Sequence, residues 1–187
     1  MDTTILLLVI AGIIAIIGLW AISTYNGLAR LYVLTEEAWS SIDIQLKRRY
    51  DLIPNLVAVV KQYSIHEQSV LENITKFRAQ SMNATGPEGK VAAEGQLAGA
   101  LKTLFAVTEN YPQLHANTNF LALQKDLGAI EHEIQLSRRY YNGTIRNYNG
   151  AIIVFPASLI AGMTGMHKKP YFELDNSEER QNVKIQF

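Results

Sequence analysis

Residues 3–23 read TTILLLVIAGIIAIIGLWAIS, and no charged residue lies between Asp2 and Arg30. At about 1.5 Å of rise per helical residue, some twenty such residues cover the roughly 30 Å hydrocarbon core of a bilayer. A chain that opens this way is tied to a membrane, and the remaining residues have to be read as what the membrane holds. A cleavable signal peptide is the competing reading, with Ala21-Ile22-Ser23 as a small-x-small cleavage site. Against it, no Lys or Arg precedes the apolar run, and the run exceeds the ~7–15 residues of a signal core. A retained anchor is therefore expected. Arg30, Lys47, Arg48 and Arg49 lie beyond the span, so the positive-inside rule puts Met1 outside and the bulk of the chain in the cytoplasm.

Beyond the anchor, residues on one helical face recur at four-three spacing: Ala11, Ile14, Gly18, Ala21, Tyr25, Leu28, Tyr32, Thr35, Trp39, Ile42 and Leu46. The seam begins inside the membrane and leaves it, which predicts one helical rod to about Tyr50. Within the bilayer its members Ala11, Ile14, Gly18 and Ala21 are mostly small, as close helix packing in lipid would use, although small residues are also common in membrane spans. Asp51-Leu52-Ile53-Pro54 reads as a break, because Pro disfavours helix at the preceding residue and suits a first helical turn. A second helix is expected from Ile53 to about Met82, on the seam Ile53, Leu56, Val60, Tyr63, Glu67, Val70, Ile74 and Phe77. Asn83–Pro87 reads as a loop. A weaker third helix holds Leu97, Leu101, Leu104 and Tyr111, ending before Pro112. The fourth is long, capped by Asn117 or Asn119, and carries Phe120, Leu123, Leu127, Ile130, Ile134, Tyr141, Ile145, Tyr148, Ile152 and Phe155, ending before Pro156.

These elements predict an all-α fold: a single N-terminal transmembrane helix continuous with an antiparallel up-and-down helical bundle, closed by a short extended C-terminal tail. The divisions expected are an anchor at 1–24, a bundle at 25–166 and a tail at 167–187. Alternation appears only in that tail, at Val183, Ile185 and Phe187.

The end of the fourth helix carries a tandem heptad, R-x-Y-N-G-x-I, first at 139–145 and again at 146–152, and Tyr25-Asn26-Gly27 repeats its core near the span. An up-down-up-down bundle would bring these elements together near the membrane. No acid occurs between Ile134 and Phe172, where Arg138, Arg139, Arg146, Lys168 and Lys169 are interleaved with Tyr140, Tyr141 and Tyr148. The five cations, with Tyr25, Asn26, Tyr141, Asn142, Tyr148 and Asn149, form an expected membrane-proximal polar and basic cluster. It would serve a polar ligand or lipid headgroup, or else fix helix register through Asn while Gly permits close approach. The apolar run 151–166 contains Pro156 and several glycines, so it is a poor second span. A segment lying in the headgroup plane suits it, as does a cap on the bundle's apolar end.

Catalytic signatures are missing from the sequence. No Glu is followed three residues later by His, His66-Glu67 and His132-Glu133 do not extend to H-E-x-x-H, and there is no Cys and no G-x-S-x-G. No metal or cofactor is expected. The charge balance of 17 basic and 17 acidic residues argues against a nucleic-acid partner. Two charges fall on predicted seams, Arg49 and Glu67. A pair in a groove can be catalytic, but opposite charges on neighbouring helices more often specify register.

The residues so assembled resemble the LemA family of bacterial membrane proteins. The resemblance runs through Tyr25-Asn26, Glu37-Ala38-Trp39-Ser40, the stretches 42–49 and 51–57, His66-Glu67, and Arg138-Arg139-Tyr140-Tyr141-Asn142. It continues in Tyr148-Asn149, Phe155-Pro156 and Lys169-Pro170-Tyr171-Phe172. It implies one anchor in the bacterial inner membrane, a cytoplasmic all-helical bundle and no established enzymatic activity. Relatives in the family include a magnetosome protein tied to membrane formation and members associated with a membrane metalloprotease. The expected function is a non-enzymatic scaffold, a homo-oligomer with coiled-coil character that contacts membrane lipids and organises or remodels membrane. The alternative is an adaptor recruiting a membrane protease or another membrane protein, with Val183, Ile185 and Phe187 added as a strand to the partner.

Overall fold

The computed structural model describes residues 3–63 and 67–173. Their secondary structure is six helices: α1 (Thr3–Lys61), α2 (Gln68–Asn83), α3 (Gly86–Thr108), α4 (Pro112–His115), α5 (Thr118–Ile153) and α6 (Ala157–Met163). No strand occurs among the described residues. The expected extended stretch at Val183, Ile185 and Phe187 lies outside them. The chain divides into two compact units: a first of Met1–Ser41 with Arg139–Pro170, and a second of Ile42–Arg138 with Tyr171–Phe187. Helices α1 and α5 contribute residues to both.

The apolar start of α1 is long enough to cross a membrane, and none of it is buried within the chain. From Leu28 onward a buried stripe develops at Thr35, Ile42, Leu46, Arg49, Ile53, Leu56 and Val60. Each fully buried aliphatic residue on that stripe stabilises the fold by roughly 1.5–3 kcal/mol relative to exposure. Tyr25 and Tyr32, expected on the stripe, lie at its edge and stay exposed.

The expected break at Asp51–Pro54 does not occur. α1 runs through Pro54 to Lys61, so the predicted second helix is divided between the end of α1 and α2. A proline inside a helix removes the N–H that would bond the carbonyl four residues back, here that of Tyr50. Another side chain takes that oxygen: Arg78 Nε donates to the Tyr50 carbonyl at 2.7 Å. Tertiary structure thereby repairs the local defect. The four-three phase running unbroken from Ile42 to Val60 was the signal that one helix continues. The buried face of α2 also differs from the expected seam, using Leu71, Ile74 and Ser81, while Glu67, Val70 and Phe77 are half-buried.

In the second unit the helices alternate in direction. Arg49 meets Glu131 and Tyr63 meets Asn117, so α1 and α5 run antiparallel. Asp43 meets Lys90 and Tyr50 meets Glu94, so α1 and α3 run parallel. α2 turns back against α3 after only Ala84 and Thr85, because Pro87 opens α3 in its first turn, where a missing N–H is harmless. The predicted loop at 83–87 is therefore shorter than expected. α3 stops at Thr108 and the single turn α4 starts at Pro112, an element that periodicity alone does not separate. Asn117 caps α5, its Oδ1 accepting the Asn119 and Phe120 amides at 2.9 and 3.1 Å.

In the first unit α1 and α5 are again antiparallel, seen in two aromatic pairs. Tyr32 meets Tyr148 edge-on, with centroids 5.9 Å apart, and Trp39 meets Tyr141 at 5.5 Å. The heptad interval of the tandem motif on α5 is answered by the same interval on α1. α5 ends at Ile153, and Phe155, predicted on its seam, is 75% exposed. α6 then packs Ala161 onto Leu28, Tyr148 and Ile152. It closes with a Schellman turn, in which the Met166 amide reaches the Ala161 carbonyl at 3.0 Å and Gly165 takes φ +69°.

Candidate functional site

The turn at Gly165 sends residues 166–170 back along α5, where the tandem motif holds them. Asn149 binds the Lys169 backbone twice: its Nδ2 donates to the carbonyl, and its Oδ1 accepts the amide, both at 2.9 Å. Eight residues earlier Tyr141 Oη donates to the Pro170 carbonyl at 3.1 Å. The anchored segment delivers the Lys169 ammonium to the surface of α1. There it donates to Thr35 Oγ1 at 2.9 Å, pairs with Glu36 and lies 3.7 Å from the centre of the Tyr32 ring. Burial, with Glu36 nearby, pushes the Tyr141 hydroxyl up to about 12. Burial likewise pushes the Tyr148 hydroxyl up.

The structure thus brings Tyr141, Tyr148, Asn149 and Lys169 of the expected cluster into one knot. Asn142 is half-buried on the same helix, and Arg139, Arg146 and Lys168 are exposed. Tyr25 and Lys168 line one open groove of about 490 Å³ with Tyr148, whereas Asn26 lines another with Arg30. Arg138 belongs to the second unit, where it lies 4.8 Å from the centre of the Phe172 ring. The glycines of the motif do not mediate close helix approach: a Cβ at Gly27, Gly143 or Gly150 would meet nothing within 4 Å. The same holds for Gly18 in the span, and Ala11 and Ile14 are exposed while Ala21 is partly covered. The run 151–166 does cap an apolar cluster through Ile160, Ala161 and Met166. It also turns Ile153, Val154, Phe155, Leu159 and Met163 outward.

The second unit contains a buried ionic cluster. Arg49, on the stripe of α1, pairs with Glu94 of α3 and, at 2.9 Å, with Glu131 of α5. Tyr50 Oη donates to the same Glu94 carboxylate. Burial lowers the Arg49 pKa, opposed mainly by Glu131, and burial lowers that of Arg138, again opposed by Glu131. The Tyr50 hydroxyl is pushed up to about 12 by burial, despite the neighbouring Arg49. The expected partnership of Arg49 with Glu67 is not found. Glu67 instead accepts a hydrogen bond from Tyr111 Oη at 3.1 Å, so the two seam charges do not converge on a common groove. Sequence pattern alone does not single out Glu94, although it sits on the same four-three stripe as Leu97, Leu101, Leu104 and Thr108. An acid on one seam and a base on another were the available signal. Arg49 and Glu94 are 2% and 0% exposed, and their charged atoms face each other. Arg49 thus pairs with Glu94 and Glu131 within the packed helices.

These features define a class: an antiparallel helical bundle whose first helix is long and apolar enough at its start to anchor in a membrane. The chain belongs to the LemA family, whose model matches residues 38–187. It is similar to the magnetosome protein MamQ of Magnetospirillum gryphiswaldense, with 24% identity over 79% of this chain and 64% of that protein. Magnetosome protein MamQ 2 of Paramagnetospirillum magneticum is 24% identical over 80% of this chain and 64% of its own length. Protein LemA of Metamycoplasma hominis is 25% identical over 76% and 66%. The chain therefore spans about two thirds of the length of these relatives, and just under that share of the first two.

Proposed function

We propose that this protein is a non-enzymatic scaffold, anchored in the bacterial inner membrane with its bundle in the cytoplasm, that self-associates and organises the membrane around it. The observation that carries this reading is the continuity of α1 from an apolar span into the bundle's buried stripe, with no break at Ser23 or at Pro54. A tether meant only to localise a domain works with a flexible joint. A helix shared by lipid and bundle couples the arrangement of one to the packing of the other. The uncovered face at Ala11, Ile14 and Gly18 supplies a surface on which a second copy can pack in lipid. Arg30, Lys47 and Arg48, all beyond the span, support the cytoplasmic orientation.

Subunit counting of the full chain in nanodiscs of native lipid tests this reading. Several copies per particle are expected, and replacing residues 3–23 by a polyleucine span should keep membrane insertion while lowering the count. A strictly monomeric particle overturns it.

A further inference from the structure

Two grooves in the first unit meet at the end of the apolar span. One, of about 490 Å³, is lined by Tyr25, Tyr32, Tyr148, His167, Lys168 and Lys169. The other, of about 260 Å³ and almost wholly apolar, is lined by Ala21, Ile22, Ile160 and Met163. They share Tyr25 and Thr164, so together they form a single depression with a polar, basic half and an apolar half. The polar half is within the roughly 300–1,000 Å³ range of small-ligand sites. Tyr25 to Tyr32 occupy about 3–14 Å of helix axis beyond Ser23, and the headgroup layer adds roughly 5–8 Å on each side of the hydrocarbon. The polar half thus begins at headgroup level, and the apolar half reaches back along the span.

A second observation marks the polar half as a binding site. Tyr148 is fully buried, yet its Oη has no hydrogen-bond partner among the described residues. Buried hydroxyls in native folds are almost always paired. Its ring is fixed against Tyr32 and in the Leu28 cluster, so the hydroxyl cannot swing to find one within the chain. The charge of Lys169 is already matched by Glu36. Tyr148, His167 and Lys168 line the same groove, and a hydroxyl, a ring N–H and an ammonium are the donors that a phosphate oxyanion takes.

We propose that this depression binds one anionic glycerophospholipid, its phosphate held by Tyr148, His167 and Lys168 and an acyl chain lying along Ala21, Ile22, Ile160 and Met163. The shared chemistry is that of a phosphate ester, which a soluble phosphate could also offer. The apolar half, continuous with the span, favours the lipid. The outward Ile153, Val154, Phe155, Leu159 and Met163 beside it give the surrounding segment an apolar surface to set into the same layer. The proposal rests on the reading that α1 spans a bilayer.

Native mass spectrometry of the full chain in detergent, with phosphatidylglycerol or phosphatidylcholine added, tests it. One retained phosphatidylglycerol per chain is expected, with phosphatidylcholine bound at least about tenfold more weakly. Tyr148→Phe, which keeps the ring, and Lys168→Gln, on the surface, should each weaken phosphatidylglycerol binding about tenfold, the loss of one charge-assisted hydrogen bond. Met163→Ser should weaken both lipids. Equal retention of the two lipids, or retention unchanged by Tyr148→Phe and Lys168→Gln, overturns the proposal. Competition by glycerol 3-phosphate or inorganic phosphate as effective as by phosphatidylglycerol overturns the assignment to a lipid. Resistance of the same protein to alkaline extraction from membranes is measured alongside. Extraction would defeat the spanning reading itself, whereas an inserted chain without lipid preference defeats only the site. A thermal melt of Tyr148→Phe matching that of the parent shows that lost binding is not lost folding.

Discussion

The two units of this chain hold themselves together by different means. The second buries full charges: Arg49, Glu94 and the half-buried Glu131 and Arg138 lie among α1, α3 and α5. Its exposed large apolar side chains, such as Ile44, Met82, Leu121 and Leu136, occur singly along the sequence. The first buries neutral groups. Asn149 and Tyr141 bind backbone, aromatic edges meet at Tyr32 and Trp39, and its ion pair, Lys169 with Glu36, lies at the exposed rim. Its exposed apolar side chains are numerous, along the span from Ile5 to Ile22 and again at Ile153, Val154, Phe155, Leu159 and Met163. One region joins its helices through buried charge. The other joins them through neutral groups and leaves apolar side chains exposed, as the proposed contact with lipid requires.

The largest effect should come from breaking the ionic cluster on one side only. Glu94→Leu leaves Arg49 buried with half its partners, and losing one member of a buried pair costs about 3–5 kcal/mol. A fall in melting temperature on the order of 10 °C is expected for the full chain in nanodiscs, followed by circular dichroism. Arg49→Met together with Glu94→Leu should recover most of it, because apolar residues of similar volume replace such pairs at little cost. A double variant as unstable as the single one would mean that the charges do more than choose a register.

Next is the strap of the first unit. Asn149→Leu removes both bonds to the Lys169 backbone and leaves a part-buried amide and carbonyl without that partner, worth about 1–3 kcal/mol. The change should appear locally as faster tryptic cleavage after Lys168, with little change in the melt of the second unit. If Asn149→Leu lowers stability as much as Glu94→Leu, the contrast between the units fails.

How far this contrast is legible in the sequence depends on which pattern carries it. Periodicity finds the helices, because a buried stripe must repeat with the helical turn, and the tandem heptad falls where α5 meets α1. Pro54 misleads because a local rule about a missing N–H cannot see Arg78, a residue distant in sequence that supplies the Tyr50 carbonyl with its donor. Arg49 is visible as a charge on a seam. Its partner Glu94 is not, since pairing is decided by which helices become neighbours. The motif's asparagines are legible as polar residues on an otherwise apolar face. That Asn149 holds residue 169 depends on the Schellman turn at Gly165, whose single glycine gives little warning in a run already rich in them.

Titration offers a smaller and graded test of the second unit. The Tyr50 hydroxyl is pushed up to about 12 in the fold, against an unfolded value near 10. The folded state therefore keeps a proton that the unfolded state loses. Its contribution is full below about pH 10 and is lost as pH rises toward about 12, on the order of 1–2 kcal/mol in all. Tyr50→Phe should flatten that part of the stability profile in alkaline denaturation, while costing the hydrogen bond to Glu94 at neutral pH. Since Tyr141 in the first unit is also pushed up to about 12, a Tyr141→Phe variant should flatten a component of the same window. Equal profiles for parent and Tyr50→Phe would show that the buried cluster does not sense this hydroxyl.

The smallest expected effect concerns the motif's glycines, and it bears most directly on what the first unit is for. Gly143 and Gly150 sit inside α5, and a Cβ at either would meet nothing within 4 Å. Glycine in a helix interior costs about 0.5–1 kcal/mol relative to alanine, through the freedom it loses on folding. Considered as an isolated chain, Gly143→Ala and Gly150→Ala should therefore raise stability by that amount each. A bare helical face that keeps two glycines one heptad apart forgoes stability that alanine would supply without steric conflict. If a second copy or a membrane component packs on this face, the added methyl groups meet it. The variants would then melt higher as dissociated chains yet yield fewer copies per nanodisc. A gain in both melting temperature and copy number would place the self-association surface elsewhere, on the span face at Ala11, Ile14 and Gly18. Subunit counts of the two variants beside the parent, in one lipid composition, separate these outcomes.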